Sequence, residues 1–160
     1  MTTLPIDSLK NTFLTQLKTQ HLVVEAETGS GKSTRLPLWA KQQGWVLVIE
    51  PRRIACTSLA QFLAAQNCEE VGESIGYAIK LEKCFQEHSQ IVFVTPGVAL
   101  RWYSENRLAD FDIIIVDEFH ERRWDTDLLV ALFKRHGQHR GVLTSATIEG
   151  DKLYRYIGAG

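Results

Sequence analysis

Short β-branched apolar runs alternate with longer stretches of helical period along this chain, and no other feature limits its fold as tightly. Leu22 to Glu25, Trp45 to Glu50, Ile91 to Thr95, Ile113 to Val116 and Val142 to Thr144 are short and mostly apolar, which suits strands covered on both faces. Between them Lys32 to Gln43, Ala55 to Gln66, Val98 to Ser104 and Asp127 to Arg135 read as helices, the first ending before Gly44 and the last before Gly137. Such alternation builds βαβ units, so the expected fold class is α/β, a largely parallel sheet with helices on both faces. A further helix from about Asp7 to Gln20, capped by Asp7, puts Leu9, Phe13, Leu14 and Leu17 on one face. Gly76 to Glu82 alternates in polarity and reads as an additional edge strand or hairpin arm. No internal repeat or linker-like tract interrupts the 160 residues, which predicts one compact domain over 1–160.

Composition excludes several classes. Lys plus Arg number 18 against 19 Asp plus Glu, a formal charge of −1. Any contact with nucleic acid must therefore come from local arginines, since no bulk positive charge draws one. Apolar residues at 44% and charged residues at 23% are ordinary for a globular chain and exclude disorder. The longest apolar run, Leu128 to Phe133, is six residues, far short of the ~20 needed to cross a bilayer. Asp7 and Lys10 interrupt the first ten residues, so no secretory signal and no membrane partner are expected. Cys56, Cys68 and Cys84 are odd in number and have no C-x-x-C spacing, which fits reduced thiols and a cytoplasmic location. His21, His88, His136 and His139 show no metal-ligand spacing with them.

The first candidate site lies where strand Leu22 to Glu25 runs into Ala26-Glu27-Thr28-Gly29-Ser30-Gly31-Lys32-Ser33-Thr34 and a helix follows. Strand, glycine-rich loop and helix N-terminus are the parts of a phosphate cradle: the glycines let successive N–H groups face one anion, and the helix adds partial positive charge. Thr28, Gly29, Ser30, Gly31, Lys32, Ser33 and Thr34 are the candidate nucleotide contacts. Lys32 is expected to reach the β and γ phosphates and the Ser33 hydroxyl to ligate Mg²⁺. The plainer alternative is a Gly/Ser turn feeding an ordinary helix.

The second lies after Ile113-Ile114-Ile115-Val116, which delivers Asp117-Glu118-Phe119-His120-Glu121-Arg122-Arg123 at its carboxyl end, where open α/β sheets bind ligands. Adjacent carboxylates there repel unless a cation or a water network holds them. Asp117 is thus the candidate Mg²⁺ partner of Ser33, and Glu118 the group that orients or deprotonates an attacking water. Alone, this segment reads equally as a solvated charged loop; beside a phosphate cradle, which needs a metal-holding acid on a nearby strand, the catalytic reading gains the upper hand.

These segments, in order, resemble the motifs of the first RecA-like motor domain of a superfamily 2 helicase of the DEAH (DExH) group, bacterial enzymes with Asp-Glu-Phe-His at motif II being the nearest in character. The glycine loop resembles motif I, Pro51-Arg52-Arg53-Ile54-Ala55 motif Ia, Thr95-Pro96-Gly97-Val98-Ala99-Leu100-Arg101 motif Ib, Asp117 to His120 motif II, and Ser145-Ala146-Thr147 motif III. The resemblance covers nearly the whole chain and implies a RecA-like P-loop NTPase fold that binds Mg-ATP, with other NTPs also accepted. It implies a single strand of nucleic acid as partner, RNA favoured over DNA, held through its backbone by Arg52, Arg53, Thr95 and Gly97. It assigns Lys32, Asp117, Glu118 and His120 to catalysis, and His120, Ser145 and Thr147 to coupling nucleotide state to strand binding.

Relatives of this type carry a second RecA-like domain whose arginines reach the γ-phosphate, and no segment of these 160 residues resembles it. An arginine supplied that way is worth about 10³ to 10⁵ in rate, so this chain alone is expected to be a weak or inactive NTPase. A stand-alone nucleotide- or RNA-binding regulatory module and a small P-loop kinase are the alternatives. All four tryptophans read as packing residues rather than base-stacking platforms, and Trp102, beside the Ib-like segment, is the one to test for stacking.

Overall fold

The computed structural model describes residues 22–25, 32–87, 89–105, 111–117 and 140–145, and the side chains of these residues other than 22–25, 32–33, 43 and 140–145. In chain order the elements are β1 (Leu22–Glu25), α1 (Lys32–Ala40) with a 3₁₀ turn at Lys41–Gln43, β2 (Val46–Ile49), α2 (Arg53–Gln66), β3 (Ile75–Ile79), β4 (Glu82–Cys84), β5 (Ile91–Val94), α3 (Pro96–Ser104), β6 (Ile113–Val116) and β7 (Arg140–Ser145). The strands form one sheet in the order β1-β7-β6-β2-β5-β3-β4. Every neighbouring pair is parallel except β3 with β4.

The apolar runs form strands because both faces are covered. Val46, Val48, Ile91, Phe93, Ile113 and Ile115 pack with Leu36, Trp39 and Ala40 of α1 and with Cys56, Ala60 and Leu63 of α2. Leu47, Ile49, Val92, Val94, Ile114 and Val116 point the other way, against Val98, Ala99 and Trp102 of α3. Period-two alternation thus divides each strand between two cores, and the α/β expectation with helices on both faces holds.

Boundaries shift for local reasons. The first predicted helix tightens to a 3₁₀ turn at Lys41–Gln43 before Gly44. α2 begins at Arg53 rather than Ala55, with Arg52 in extended conformation as its cap. α3 begins at Pro96 rather than Val98, because proline's fixed φ suits a first helical position, whose N–H would be orphaned anyway. Of the two readings of Gly76 to Glu82 the hairpin arm holds, and the segment includes the reversal: Ile79 pairs with Glu82 across the two-residue turn Lys80-Leu81, and β4 takes the sheet edge. Gly76 is required here, since a Cβ would collide with the Cys84 carbonyl and lie 2.6 Å from Phe85 Cβ. The Tyr77 hydroxyl donates to the Glu82 carboxylate across the turn, which, with partial burial, pushes the phenol up to about 12. The helices predicted over Asp7 to Gln20 and Asp127 to Arg135 lie outside the described residues.

Candidate nucleotide and nucleic-acid site

Parallel pairing brings the carboxyl ends of five strands into one row. Glu25 pairs with Ser145, Val116 with Ile49, and Ile49 with Val94, so β1, β7, β6, β2 and β5 end side by side. The ladder continues one residue further: Asp117 N–H donates to Ile49 O at 2.9 Å and Glu50 N–H to Val94 O at 2.8 Å. Asp117, Glu50 and Thr95 therefore stand abreast just beyond the strand ends. Alternation places them on the side of Ile115, Val48 and Phe93, the face that α1 and α2 cover.

Two of these three are buried carboxylates, Asp117 and Glu50 each 2% exposed. Ionised groups out of water are costly unless an interaction there favours their charge. The charge of Glu50 is felt on α2, where the Cys56 thiol is pushed up to about 12, by burial first and by the Glu50 carboxylate second. Arg35 of α1, also buried, is the remaining buried charged residue among those described. Carboxylate oxygens are hard donors suited to Mg²⁺, and the described residues hold no group of three or more His, Cys, Asp or Glu fit to cage a metal unaided. Mg²⁺ usually takes one or two carboxylates and completes its octahedron with phosphate oxygens and water.

Lys32 and Ser33 form the first turn of α1, directly after the glycine loop in sequence; Thr34 follows half-buried. Thr28, Gly29, Ser30, Gly31, Glu118, His120 and Thr147 lie outside the described residues, while Ser145 is the last residue of β7, paired with Glu25. The structure thus brings the end of β1, Ser145 and Asp117 to one edge of the sheet.

The candidate nucleic-acid contacts sit at helix starts on the same edge. Arg52 caps α2 in extended conformation (φ −118°, ψ 133°) and Arg53 is its first residue, both exposed. Thr95 holds the N-cap position of α3, and its side chain makes no capping bond. Gly97 is exposed, and a Cβ built there would meet nothing within 4 Å. A guanidinium fork beside one helix N-terminus and open backbone beside another are chemistry for phosphate oxygens.

Sequence reasoning left Glu50 and Arg35 without a role. The signal for Glu50 was present, a charged residue closing an apolar run as Asp117 closes its own; Arg35 gave none. Trp102 takes the packing role expected of it: 2% exposed, its ring lies 5.4 Å from Phe85 and 6.3 Å from Phe111. A cavity of about 390 Å³ that Trp102 lines with Trp45, Phe85 and Phe111 opens at the opposite, amino edge of the sheet.

A largely parallel sheet between helices, with a strand feeding a helix start and a buried aspartate ending a neighbouring strand, defines the RecA-like class of P-loop α/β domain. The DEAD/DEAH box helicase family pattern matches residues 9–155, and the chain belongs to that family. It is 35% identical to the DExH-box ATP-dependent RNA helicase DExH1 of Arabidopsis thaliana over 97% of this chain and 17% of that protein. It is likewise 35% identical to the ATP-dependent RNA helicase HrpA of Borreliella burgdorferi, over 96% of this chain and 20% of the relative. The solved E. coli DExH-box NTPase HrpB superposes with a TM-score of 0.88 at 33% identity, over 97% of this chain and 20% of that one. The chain therefore spans about a fifth of the length of these relatives, corresponding to a first RecA-like domain.

Proposed function

We propose that the chain is the ATP-binding half of a DEAH-box helicase that takes Mg-ATP, with other NTPs accepted, and grips the backbone of single-stranded nucleic acid, RNA by preference. The observation that carries the reading is the row of carboxyl ends that buried Asp117 shares with the end of β1. Thr28, Gly29, Ser30, Gly31 and Thr34 surround the phosphates, Lys32 neutralises the β and γ oxygens, and Ser33 and Asp117 hold the metal. Bound Mg²⁺ supplies charge neutralisation at the transferring phosphoryl group. Glu118 orients the attacking water and accepts its proton. His120, Ser145 and Thr147 link the nucleotide's state to the strand grip of Arg52, Arg53, Thr95 and Gly97, a grip on backbone that reads little sequence.

Residues 1–160 act as one domain in this reading, and a second RecA-like domain supplies the arginines that make hydrolysis fast. Three free cysteines suit a cytoplasmic protein, and no helix among the described residues is long and apolar enough to cross a membrane.

A fluorescent-nucleotide titration tests the assignment. Lys32→Ala is expected to abolish binding while Glu118→Gln preserves it; equal binding by the parent and Lys32→Ala refutes the reading.

A further inference from the structure

On its α3 side the sheet does not close at the amino edge. There the cavity of about 390 Å³ is lined by the rings of Trp45, Phe85, Trp102 and Phe111, with Gln86, Glu87 and Ser89 as polar residues. Close-packed interiors leave few voids larger than a water molecule, whereas small-molecule sites run from about 300 to 1,000 Å³. Trp102 and Phe111 are buried, with ring planes 8° from parallel, while Trp45 is 37% exposed and Phe85 half-buried. The rings thus lead from the core out to solvent.

Backbone bonds fix the residues around the opening. Trp45 N–H donates to Asp112 Oδ2 at 3.0 Å, and Trp45 O accepts from the N–H groups of Asp112 and Ile113. Ser89 closes the turn that carries Gln86 and Glu87: its N–H donates to Gln86 O at 3.0 Å, and its hydroxyl accepts from Gln86 N–H at 2.9 Å and donates to Glu73 O at 2.6 Å. A site held this way loses little freedom when it is filled. The lining also selects charge. Aromatic rings present negative π faces, and exposed Glu87 is the one charged residue among the described lining residues. A cation gains from both and an anion is repelled by both, while a flat apolar body packs against the rings.

We propose that this cavity is a binding site for a flat organic cation of the aryl amidine or guanidinium class. It lies at the sheet edge away from the proposed nucleotide site, so it stands independently of that reading. A free small molecule and an arginine side chain presented by another protein share this chemistry.

Isothermal titration of the full chain tests the site with two probes, benzamidine and arginine blocked at both ends. At least one is expected to bind with a dissociation constant of about 1 mM or below. Benzoate, similar in shape and opposite in charge, is expected to bind at least about tenfold more weakly. Tighter binding of benzamidine assigns a free small molecule, and tighter binding of blocked arginine assigns a protein's side chain. Trp45→Ala is expected to weaken the better probe about tenfold, and Glu87→Gln about threefold. Because Glu87 is exposed, its variant decides the matter should Trp45→Ala lose cooperative melting. No saturable binding of either cation, benzoate binding as tightly as they do, or an affinity unmoved by the folded variants overturns the proposal.

Discussion

The same four central strands, β6, β2, β5 and β3, end in two different ways. At their amino ends a chain of hydrogen bonds runs from strand to strand. Glu69 accepts from Ser74 N–H at 2.9 Å, Ser74 O accepts from Gln90 N–H at 2.7 Å, and Gln90 O accepts from Val46 N–H at 2.8 Å. Trp45 O then accepts from Asp112 N–H at 2.9 Å, and Asp112 Oδ2 accepts from Trp45 N–H at 3.0 Å. Ser89, also buried, ties Gln86 N–H to Glu73 O. Here polar side chains complete the backbone's own bonding, which is what stability asks of a sheet end. At the carboxyl ends the sheet instead buries two carboxylates, Glu50 and Asp117, on neighbouring strands. The contrast separates the edge whose polar groups close the fold from the edge to which the proposed function assigns the nucleotide.

If that division is right, substitutions at the two edges have opposite signatures. Asp117→Asn carries the largest effect. Mg²⁺-dependent nucleotide affinity is expected to drop by at least about tenfold, with a cooperative melt retained. Binding in Mg²⁺ and a melting curve check it, and a destabilised variant that still couples metal to nucleotide breaks the division.

Ser89→Ala comes next and is expected to cost about 2 kcal/mol, since it strips partners from Gln86 N–H and Glu73 O in a buried setting. Nucleotide affinity stays unchanged, as denaturant melts beside a nucleotide titration would report. Asp112→Ala is smaller, about 1 kcal/mol, because the residue is exposed and its bond to Trp45 N–H competes with water.

The smallest effect is on pH dependence. Burial tends to raise the Glu69 carboxyl, but hydrogen bonds from Ser74 and Asn67 outweigh it and hold the group below its ordinary 4.5. A depressed carboxyl stabilises the fold above that ordinary value and loses its contribution as pH falls through the folded one. Parent and Glu69→Gln melts are thus expected to converge on acidification below about 4.5; curves that run parallel throughout contradict the assignment.

Much of this was legible in the sequence because chemistry and local pattern coincide. Ile113-Ile114-Ile115-Val116 followed by Asp117 announces a buried strand with an acid at its carboxyl end, and the structure puts Asp117 there. β1 and β6 appear with the boundaries their composition suggests. Pairings between distant segments were less visible. Glu50 looked like the tail of a strand until β2 was seen lying beside β6, since nothing local to residue 50 encodes that neighbour. The place of the hairpin's turn was hidden because alternation marks Gly76 to Glu82 as extended without marking the Lys80-Leu81 reversal, which leaves Leu81 at φ 70° without the glycine that usually signals such a turn. Trp102 was ambiguous because its neighbours Phe85 and Phe111 come from other elements.

The structure of the chain with Mg-ADP bound tests the central claim most directly. The account predicts the β-phosphate at the start of α1 within hydrogen-bond distance of Lys32 Nζ, and a cation bridged between the nucleotide, Ser33 and Asp117. Phosphates seated away from α1, or an Asp117 carboxylate out of reach of any cation they hold, would contradict it.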